Sequence, residues 1–213
     1  MSKIAVLGSG VVGQVLADGF LKKGDEVMRG SREPGKLADW AGASGGRTGT
    51  FAEAAAFGEI VVLAVKGGAA AAVLDGAGAA NLDGKVVIDA TNPIADAPPV
   101  NGVISFFTGI NDSLMERLQK HVPGARFVKA FSCVGNAFMI DPDFGGTKPT
   151  MFICGNDAEA KATVTGILRR FGWDTKDMGA VESARAIEPL CMLWCIPGLR
   201  GGGWSHAFKL LEK

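Results

Sequence analysis

The feature that most constrains this chain is an apolar run that ends in a glycine-rich turn and leads directly into an amphipathic segment. The run is residues 3–7, and the turn reads Gly8-Ser9-Gly10-Val11-Val12-Gly13. In the following segment, Val12, Leu16 and Phe20 recur at every fourth position. This order is typical of the first strand, turn and helix of a doubly wound sheet. The chain is therefore predicted to begin with a strand–turn–helix unit.

Short apolar runs and helical segments continue to alternate along most of the chain. Further strands are predicted at residues 26–30, 59–65, 85–90, 126–131 and 150–154. Helices are predicted at residues 11–23, 36–43, 69–75, 112–121 and 158–171. Repetition of strand and helix predicts the α/β class, with a Rossmann-type doubly wound parallel sheet.

The pattern changes after about residue 180, where one apolar helix is predicted at residues 182–195, followed by a tail that contains Gly201, Gly202 and Gly203. The chain is therefore divided into a Rossmann domain, residues 1–180, and a short C-terminal helical appendage, residues 181–213, which is too small to be an independent domain. Glu188 is the only charge between residues 187 and 196. A helix this apolar is expected to pack on the domain or on a partner, and a homodimer is predicted in which the glycines let the tail cross to the neighbour.

Composition narrows the classes of partner. Lys plus Arg and Asp plus Glu both total 22, so the formal net charge is zero. No excess of positive charge is present to favour binding to nucleic acid or to a membrane surface. The first apolar run is too short for a signal peptide, and a cytoplasmic location is expected. The four cysteines are interpreted as small buried residues, and no metal site is expected because only two histidines accompany them. Small molecules and a second copy of the chain are the expected partners.

The glycine-rich turn predicts a dinucleotide site. Gly8 permits the sharp turn, Gly10 lets the backbone approach a pyrophosphate, and Gly13 allows close packing of the helix. The free N–H groups at the start of the helix favour an anion.

The end of the second predicted strand indicates which dinucleotide binds. A protein specific for NAD carries Asp or Glu there, but this chain reads Arg29-Gly30-Ser31-Arg32, with Lys36 shortly after. A hydroxyl and cations suit the 2′-phosphate of NADP(H). Glu33 leaves open the alternative of a solvated basic loop.

Several segments together resemble one known family. They are the turn from Gly8 to Gly13, Gly30-Ser31-Arg32 with Lys36, Asp89-Ala90-Thr91-Asn92-Pro93, Val128-Lys129-Ala130-Phe131, the segment 152–157 and the late segment 182–190. The chain resembles the F420-dependent NADP reductases and their bacterial relatives, a family that includes the oxidoreductase domain of the STEAP metalloreductases.

The resemblance implies a role for particular residues. It places Ser9, Gly10, Val11 and Val12 at the pyrophosphate, and Ser31, Arg32 and Lys36 at the 2′-phosphate. It places Asn92 and Pro93 beside the nicotinamide, with Val65 and Lys66 facing the same region. It also implies an acceptor pocket formed by Cys133, Glu188, Leu190 and Cys191.

The chain departs from the family at two positions near the nicotinamide. Ser132-Cys133 stands where Asn-Thr is usual, and Lys66 stands where a proline or bulky residue is usual. Both departures bear on the acceptor more than on the cofactor.

No residue is identified as the catalytic acid, although Lys66, His206 and Cys133 are candidates. A flat acceptor such as F420 or a flavin accepts hydride with little acid–base assistance, so hydride transfer between NADPH and such an acceptor is predicted. The alternatives are an imine or carbonyl reductase and a non-catalytic NADP(H)-binding regulatory protein.

Overall fold

Six parallel strands form the centre of the molecule. The computed structural model describes all residues 1–213. The strands are β1 (Lys3–Leu7), β2 (Glu26–Gly30), β3 (Arg47–Gly49), β4 (Ile60–Leu63), β5 (Val86–Asp89) and β6 (Arg126–Lys129). They pair in the order β3-β2-β1-β4-β5-β6, and every pair is parallel. The predicted doubly wound α/β fold is confirmed.

Helices cover both faces of this sheet. They are α1 (Val11–Lys22), α2 (Ala38–Ser44), α3 (Phe51–Phe57), α4 (Ala70–Ala77), α5 (Ala79–Leu82), α6 (Leu114–His121), α7 (Ala158–Arg170) and α8 (Ala184–Leu199). Along β1, Ile4 and Val6 join the core that includes Leu16 of α1, whereas Ala5 and Leu7 join the opposite core. Because both faces are covered, the central strands β1, β4 and β5 are apolar over most of their length rather than alternating.

A two-stranded parallel sheet extends the domain beyond β6. It consists of β7 (Thr150–Ile153) and β8 (Asp174–Asp177), and a bridge between Lys129 and Cys154 joins it to β6. The C-terminal tail folds back on this part of its own chain, where the N–H of Thr150 donates to the carbonyl of Phe208 at 2.8 Å. The tail therefore packs on its own domain. The expected crossing to a neighbouring subunit would require it to extend away from the domain.

The observed elements differ from the predicted ones where local sequence is a weak guide. The strand β3 and the helix α3 were not predicted, although Thr50 and Glu53 form a capping box at the start of α3. The sequence of β8 is wholly polar, so it carries no apolar signal. The segment 34–37 is a turn of 3-10 helix, so α2 begins at Ala38 rather than at Lys36. No helix has both the length and the apolar character needed to cross a bilayer.

Candidate active site: a dinucleotide cleft and an adjoining cavity

The glycine-rich turn lies where the strand order reverses. β1 is followed in the sheet by β2 on one side and by β4 on the other, and the turn leaves β1 between them. Crevices at the carboxyl ends of the strands, at such a switch point, are the usual ligand sites of open α/β sheets. The fold therefore places a cleft directly above the turn.

The three glycines of the turn are required for different physical reasons. Gly8 has a φ of +147°, and a Cβ there would lie 2.2 Å from the carbonyl oxygen of Ala64. A Cβ on Gly13 would lie 2.8 Å from the carbonyl oxygen of Gly8. Gly10, by contrast, has no atom within 4 Å of a built Cβ. Gly8 and Gly13 are needed by the backbone itself, whereas the absence of a side chain at Gly10 leaves space open to a ligand.

Three cavities follow the cleft and share lining residues. The β2-side cavity, about 400 Å³, is bordered by the Ser31 to Lys36 region and by α4. The central cavity, about 480 Å³, lies over the turn at Ser9, Gly10, Val11 and Val12. The β5-side cavity is the largest, at about 730 Å³. Val65 and Ala69 line all three cavities, so the three form one continuous groove.

The β2-side cavity contains the residues expected at a 2′-phosphate. Ser31 is buried, and its Oγ accepts a hydrogen bond from the N–H of Glu33 at 3.2 Å. Arg32 is exposed, and Lys36 makes an exposed ion pair with Glu33 at 2.8 Å. An exposed ion pair of this kind contributes little to stability, so Lys36 can exchange Glu33 for a phosphate at low cost.

Asn92 lies in the β5-side cavity with half of its amide unpaired. Its Nδ2 donates to the carbonyl oxygen of Ser132 at 2.9 Å, whereas its Oδ1 is buried and has no hydrogen-bond partner. A buried acceptor without a donor is unfavourable unless a ligand supplies one. The N–H₂ of a nicotinamide carboxamide is such a donor, so the residues present fit a bound NADP(H). Pro93 is buried next to Asn92.

A buried ion-pair network fixes the loop that carries Asn92. The Lys129 ammonium lies 2.7 Å from Asp89 Oδ2 and 3.0 Å from Glu188 Oε1, and it donates to the carbonyl oxygen of Thr91 at 2.9 Å. Burial favours a lower pKa for Lys129, but the carboxylates of Asp89 and Glu188 together raise it. Lys129 is therefore a cation that ties the end of β5 to α8.

The four residues expected to form an acceptor pocket lie away from the β5-side cavity. Glu188 is 1% exposed, and its carboxylate accepts hydrogen bonds from the N–H groups of Leu114 and Met115 at 2.9 and 3.0 Å. Cys133 and Cys191 are buried and Leu190 is partly buried. None of the four lines the cavity, whose lining includes Ile94, Ala95, Asp96 and Phe107 instead.

The three candidate catalytic residues have different surroundings. Lys66 is exposed and lines both the central and the β5-side cavities. Cys133 is 3% exposed, and burial raises the pKa of its thiol to about 12, which disfavours a reactive thiolate. His206 stacks on Trp194, and its Nε2 lies 2.8 Å from the carbonyl oxygen of Trp194. Of the three, only Lys66 lies at the cleft.

Phe107 and Asp96, which the sequence did not single out, also line the β5-side cavity. Phe107 and Asp96 belong to the long connection between β5 and α6, which contains an antiparallel bridge between Ile94 and Phe106. Phe131, directly after β6, is buried with a φ of +61°, an uncommon conformation for a bulky residue, and it precedes Ser132 and Cys133. Phe131 ends the family motif Val128-Lys129-Ala130-Phe131.

Comparisons with known proteins agree with this geometry. Residues 3–93 match the family described as NADP oxidoreductase, coenzyme F420-dependent. A protein assigned as an F420-dependent NADP reductase from Arthrobacter sp. FB24 has a solved structure that is 32% identical, with a TM-score of 0.94 and full coverage of both chains. Metalloreductase STEAP3 of Rattus norvegicus is 30% identical over 97% of this chain, which spans 40% of the length of that protein.

More distant structures share the fold alone. The imine reductase of Streptomyces aurantiacus is 19% identical, with a TM-score of 0.67 over 90% of this chain and 60% of its own. The full-length match to the Arthrobacter protein and the family match over residues 3–93 identify the family. The chain belongs to the family of F420-dependent NADP oxidoreductases.

Proposed function

We propose that this protein transfers hydride between NADPH and a flat redox acceptor, F420 or a flavin, that binds in the β5-side cavity. The observation that carries the proposal is the continuity of the groove. The cavity meets the central cavity at Val65, Lys66 and Ala90, beside the unpaired Oδ1 of Asn92. A nicotinamide held at Asn92 would therefore face an acceptor placed against Phe107.

The lining of the β5-side cavity favours a flat, largely apolar molecule. Its apolar residues are Val65, Ala69, Ala90, Ile94, Ala95 and Phe107. Its charged or amide side chains are Lys66, Asn92 and Asp96. Ligand sites commonly combine such an apolar surface with a few polar groups that set orientation.

The chain's contribution to the reaction is positioning and exclusion of water. Reduced nicotinamide supplies the hydride, and a deazaflavin or flavin accepts it with little acid–base assistance. Asn92 would orient the nicotinamide, and Phe107 with Ile94 would hold the acceptor plane close to it. Holding two reactants at reacting distance lowers the barrier by removing the entropy of their encounter.

A panel of acceptors with NADPH tests this proposal. F420, FMN, FAD and a small cyclic imine would be supplied in turn, and loss of reduced-nicotinamide absorbance would be measured. We expect turnover with F420 or a flavin. Turnover with the imine alone, or with none of the acceptors, would contradict the proposal.

Phe107→Ala separates the acceptor site from the cofactor site. It should raise the KM for the acceptor about tenfold and leave the KM for NADPH unchanged, because the lost contacts are apolar and belong to the acceptor. Phe144→Ala is the matched control, since Phe144 packs on Phe138 and lines none of the three cavities. Equal effects of the two variants would place the acceptor elsewhere.

An imine or carbonyl reductase is the second candidate, and Lys66 is the observation that favours it. Reduction of a C=N or C=O bond by hydride also needs a proton, and the exposed Lys66 ammonium lines the same cavity. Lys66→Met should abolish imine reduction but change F420 or flavin reduction little. A non-catalytic NADP(H) sensor, the third possibility, predicts binding of NADPH without steady turnover of any acceptor.

A further inference from the structure

We propose that Arg29 is a positioning residue for the dinucleotide phosphates, whose guanidinium holds the glycine-rich turn in its binding conformation and adds positive charge beneath it. The inference rests on the proposed binding of NADP(H) in the cleft. It assigns a role to a side chain that lies under the turn rather than among the exposed cations of the β2-side cavity.

Arg29 is buried directly beneath the turn. It is 1% exposed, and its Nη2 donates to the carbonyl oxygens of Gly8 and Gly10, each at 3.3 Å. Its guanidinium also lies over the ring of Trp40, 4.8 Å from the ring centroid. Three contacts therefore fix the orientation of this group.

The two carbonyls determine where the neighbouring amides point. A trans peptide is planar, so its N–H lies opposite its C=O. The plane of the Gly8 carbonyl includes the N–H of Ser9, and the plane of the Gly10 carbonyl includes the N–H of Val11. Neither N–H donates a hydrogen bond within the chain, and both residues line the central cavity. The Gly10 carbonyl also accepts the first hydrogen bond of α1, from the N–H of Gln14 at 3.0 Å. Arg29 therefore directs the Ser9 amide towards the space over Gly10, and it acts together with α1 on the Val11 amide.

The charge of Arg29 lacks a direct counter-ion. No carboxylate lies within ion-pair distance of it, and the nearby Asp18 accepts a hydrogen bond from Trp40 Nε1 at 2.6 Å through its Oδ1. Its Nε is buried without a partner. Burial lowers the pKa of Arg29, and the charge of Asp18 opposes this only in part. A buried cation without an anion is unfavourable, and phosphates bound above the turn would compensate it.

Arg29 is an unusual residue for its position in β2. Val27, on the same face of the strand two residues earlier, joins the apolar core, so position 29 is one where an apolar side chain is expected. Places where local pattern and chemistry disagree are often functional. Arg29 also lines a cavity of about 570 Å³ with Ser9 and Lys36, which connects it to the cleft.

Arg29→Met tests the proposal, because methionine keeps the length of the side chain and removes the charge and the donors. The dissociation constants of NADPH and NADH would be measured by nucleotide fluorescence at low and high ionic strength, on variants whose thermal midpoint is recorded. We expect both nucleotides to bind about tenfold more weakly, because both carry the pyrophosphate. The salt dependence of binding should also become shallower.

Two further variants keep the test decisive. Arg29→Lys should restore most of the salt dependence, since it keeps the charge. Arg169→Met, at an exposed arginine of α7, is the matched control and should change neither affinity. If Arg29→Met does not fold, Arg29→Lys decides. Loss of the planar guanidinium, which lies over Trp40 and donates to both carbonyls, should still weaken both nucleotides by about threefold.

The outcomes distinguish this proposal from the proposed function. Wild-type affinity and salt dependence in Arg29→Met, or wild-type affinity in Arg29→Lys where that variant decides, would overturn the role of Arg29 and leave NADPH binding intact. Weakening of NADPH alone would also overturn it, because that result would place Arg29 at the 2′-phosphate. Failure of the wild-type chain to bind NADPH would overturn both proposals.

Discussion

At the scale of single residues, we expect Gly10 to be needed for binding of NADPH but not for folding of the domain. Gly10→Val should abolish NADPH binding without unfolding the domain, since its φ of −76° suits valine and no atom lies within 4 Å of a built Cβ. Gly8→Val should instead destabilise the fold, because its Cβ would lie 2.2 Å from a backbone oxygen at a φ of +147°. Nucleotide titration and thermal unfolding of the two variants check this. NADPH affinity retained by a folded Gly10→Val would remove the turn from the binding site.

A second prediction at this scale tests whether Arg32 contacts the 2′-phosphate of NADPH. Arg32→Ala should weaken NADPH binding by roughly 1.5 to 3 kcal/mol, the range for a hydrogen bond to a charged group, and leave NADH nearly unchanged. Calorimetric titration of both nucleotides measures this, with Arg169→Ala as the exposed control. Equal losses for the two nucleotides would show that Arg32 does not contact the phosphate.

At the scale of secondary-structure elements, Lys129 joins β6, the end of β5 and α8. Lys129→Met should lower the free energy of unfolding by about 3 to 5 kcal/mol, because it leaves Asp89 and Glu188 as buried carboxylates without their cation. Urea denaturation measures the change. Lys120→Met, at an exposed lysine of α6, should stay within about 0.5 kcal/mol of the wild type. A similarly small effect at Lys129 would mean that the network does not stabilise the loop.

The contact between α6 and α8 predicts a dependence on pH. Glu116 accepts hydrogen bonds from Arg185 at 2.6 and 2.9 Å and from Ser113 at 2.8 Å, and those from Arg185 chiefly lower the pKa of its carboxyl. Its stabilising contribution is therefore present above the ordinary Glu pKa of about 4.3 and is lost as pH falls through the lower folded value. Glu116→Gln should cost about 1 kcal/mol at neutral pH, a small value because Arg185 is 39% exposed and screened by water. Urea denaturation at about pH 7 and about pH 3 checks this, and an unchanged difference at low pH would contradict it.

At the scale of the whole molecule, an apolar patch on α8 is the surface that a homodimer would use. We use the name for the exposed apolar side chains on and beside α8. They are Leu193 and Leu199 of α8, Trp204 of the tail, and Val100 and Val103 of a hairpin, and they are 38% to 68% exposed. The hairpin meets the helix, because a Cβ on Gly102 would lie 2.6 Å from Arg200 Cγ. Sedimentation at micromolar concentration should give a species of twice 22.0 kDa. Leu193→Asp should dissociate it.

Two outcomes of the sedimentation measurement would contradict this prediction. A 22.0 kDa species from the wild-type chain would contradict the predicted dimer. A dimer that persists in Leu193→Asp would place the interface on another surface. The exposed Met178, which lies outside the patch, offers Met178→Asp as a matched control that should leave the dimer intact.

Features that depend on contiguous residues could be predicted from the amino-acid sequence. The unit from β1 through the glycine-rich turn to α1, and the cations after β2, follow from local steric and charge requirements that nearby residues express. Helix and strand boundaries shifted by a few residues, as at α2, because capping and turns decide the ends. The family resemblance also rested on such contiguous segments.

Features that depend on contacts between residues far apart in the chain could be seen only in the tertiary structure. The polar strand β8 exists because β7 supplies its hydrogen bonds, and the β5-side cavity forms because a connection without periodicity packs against the ends of β4 and β5. The family resemblance implies an acceptor pocket at Glu188, whereas the contacts of Glu188 with Lys129 and with the start of α6 span 59 and 74 positions of the chain. Long-range ion pairs leave no period or motif in the sequence, so only the folded chain brings them together.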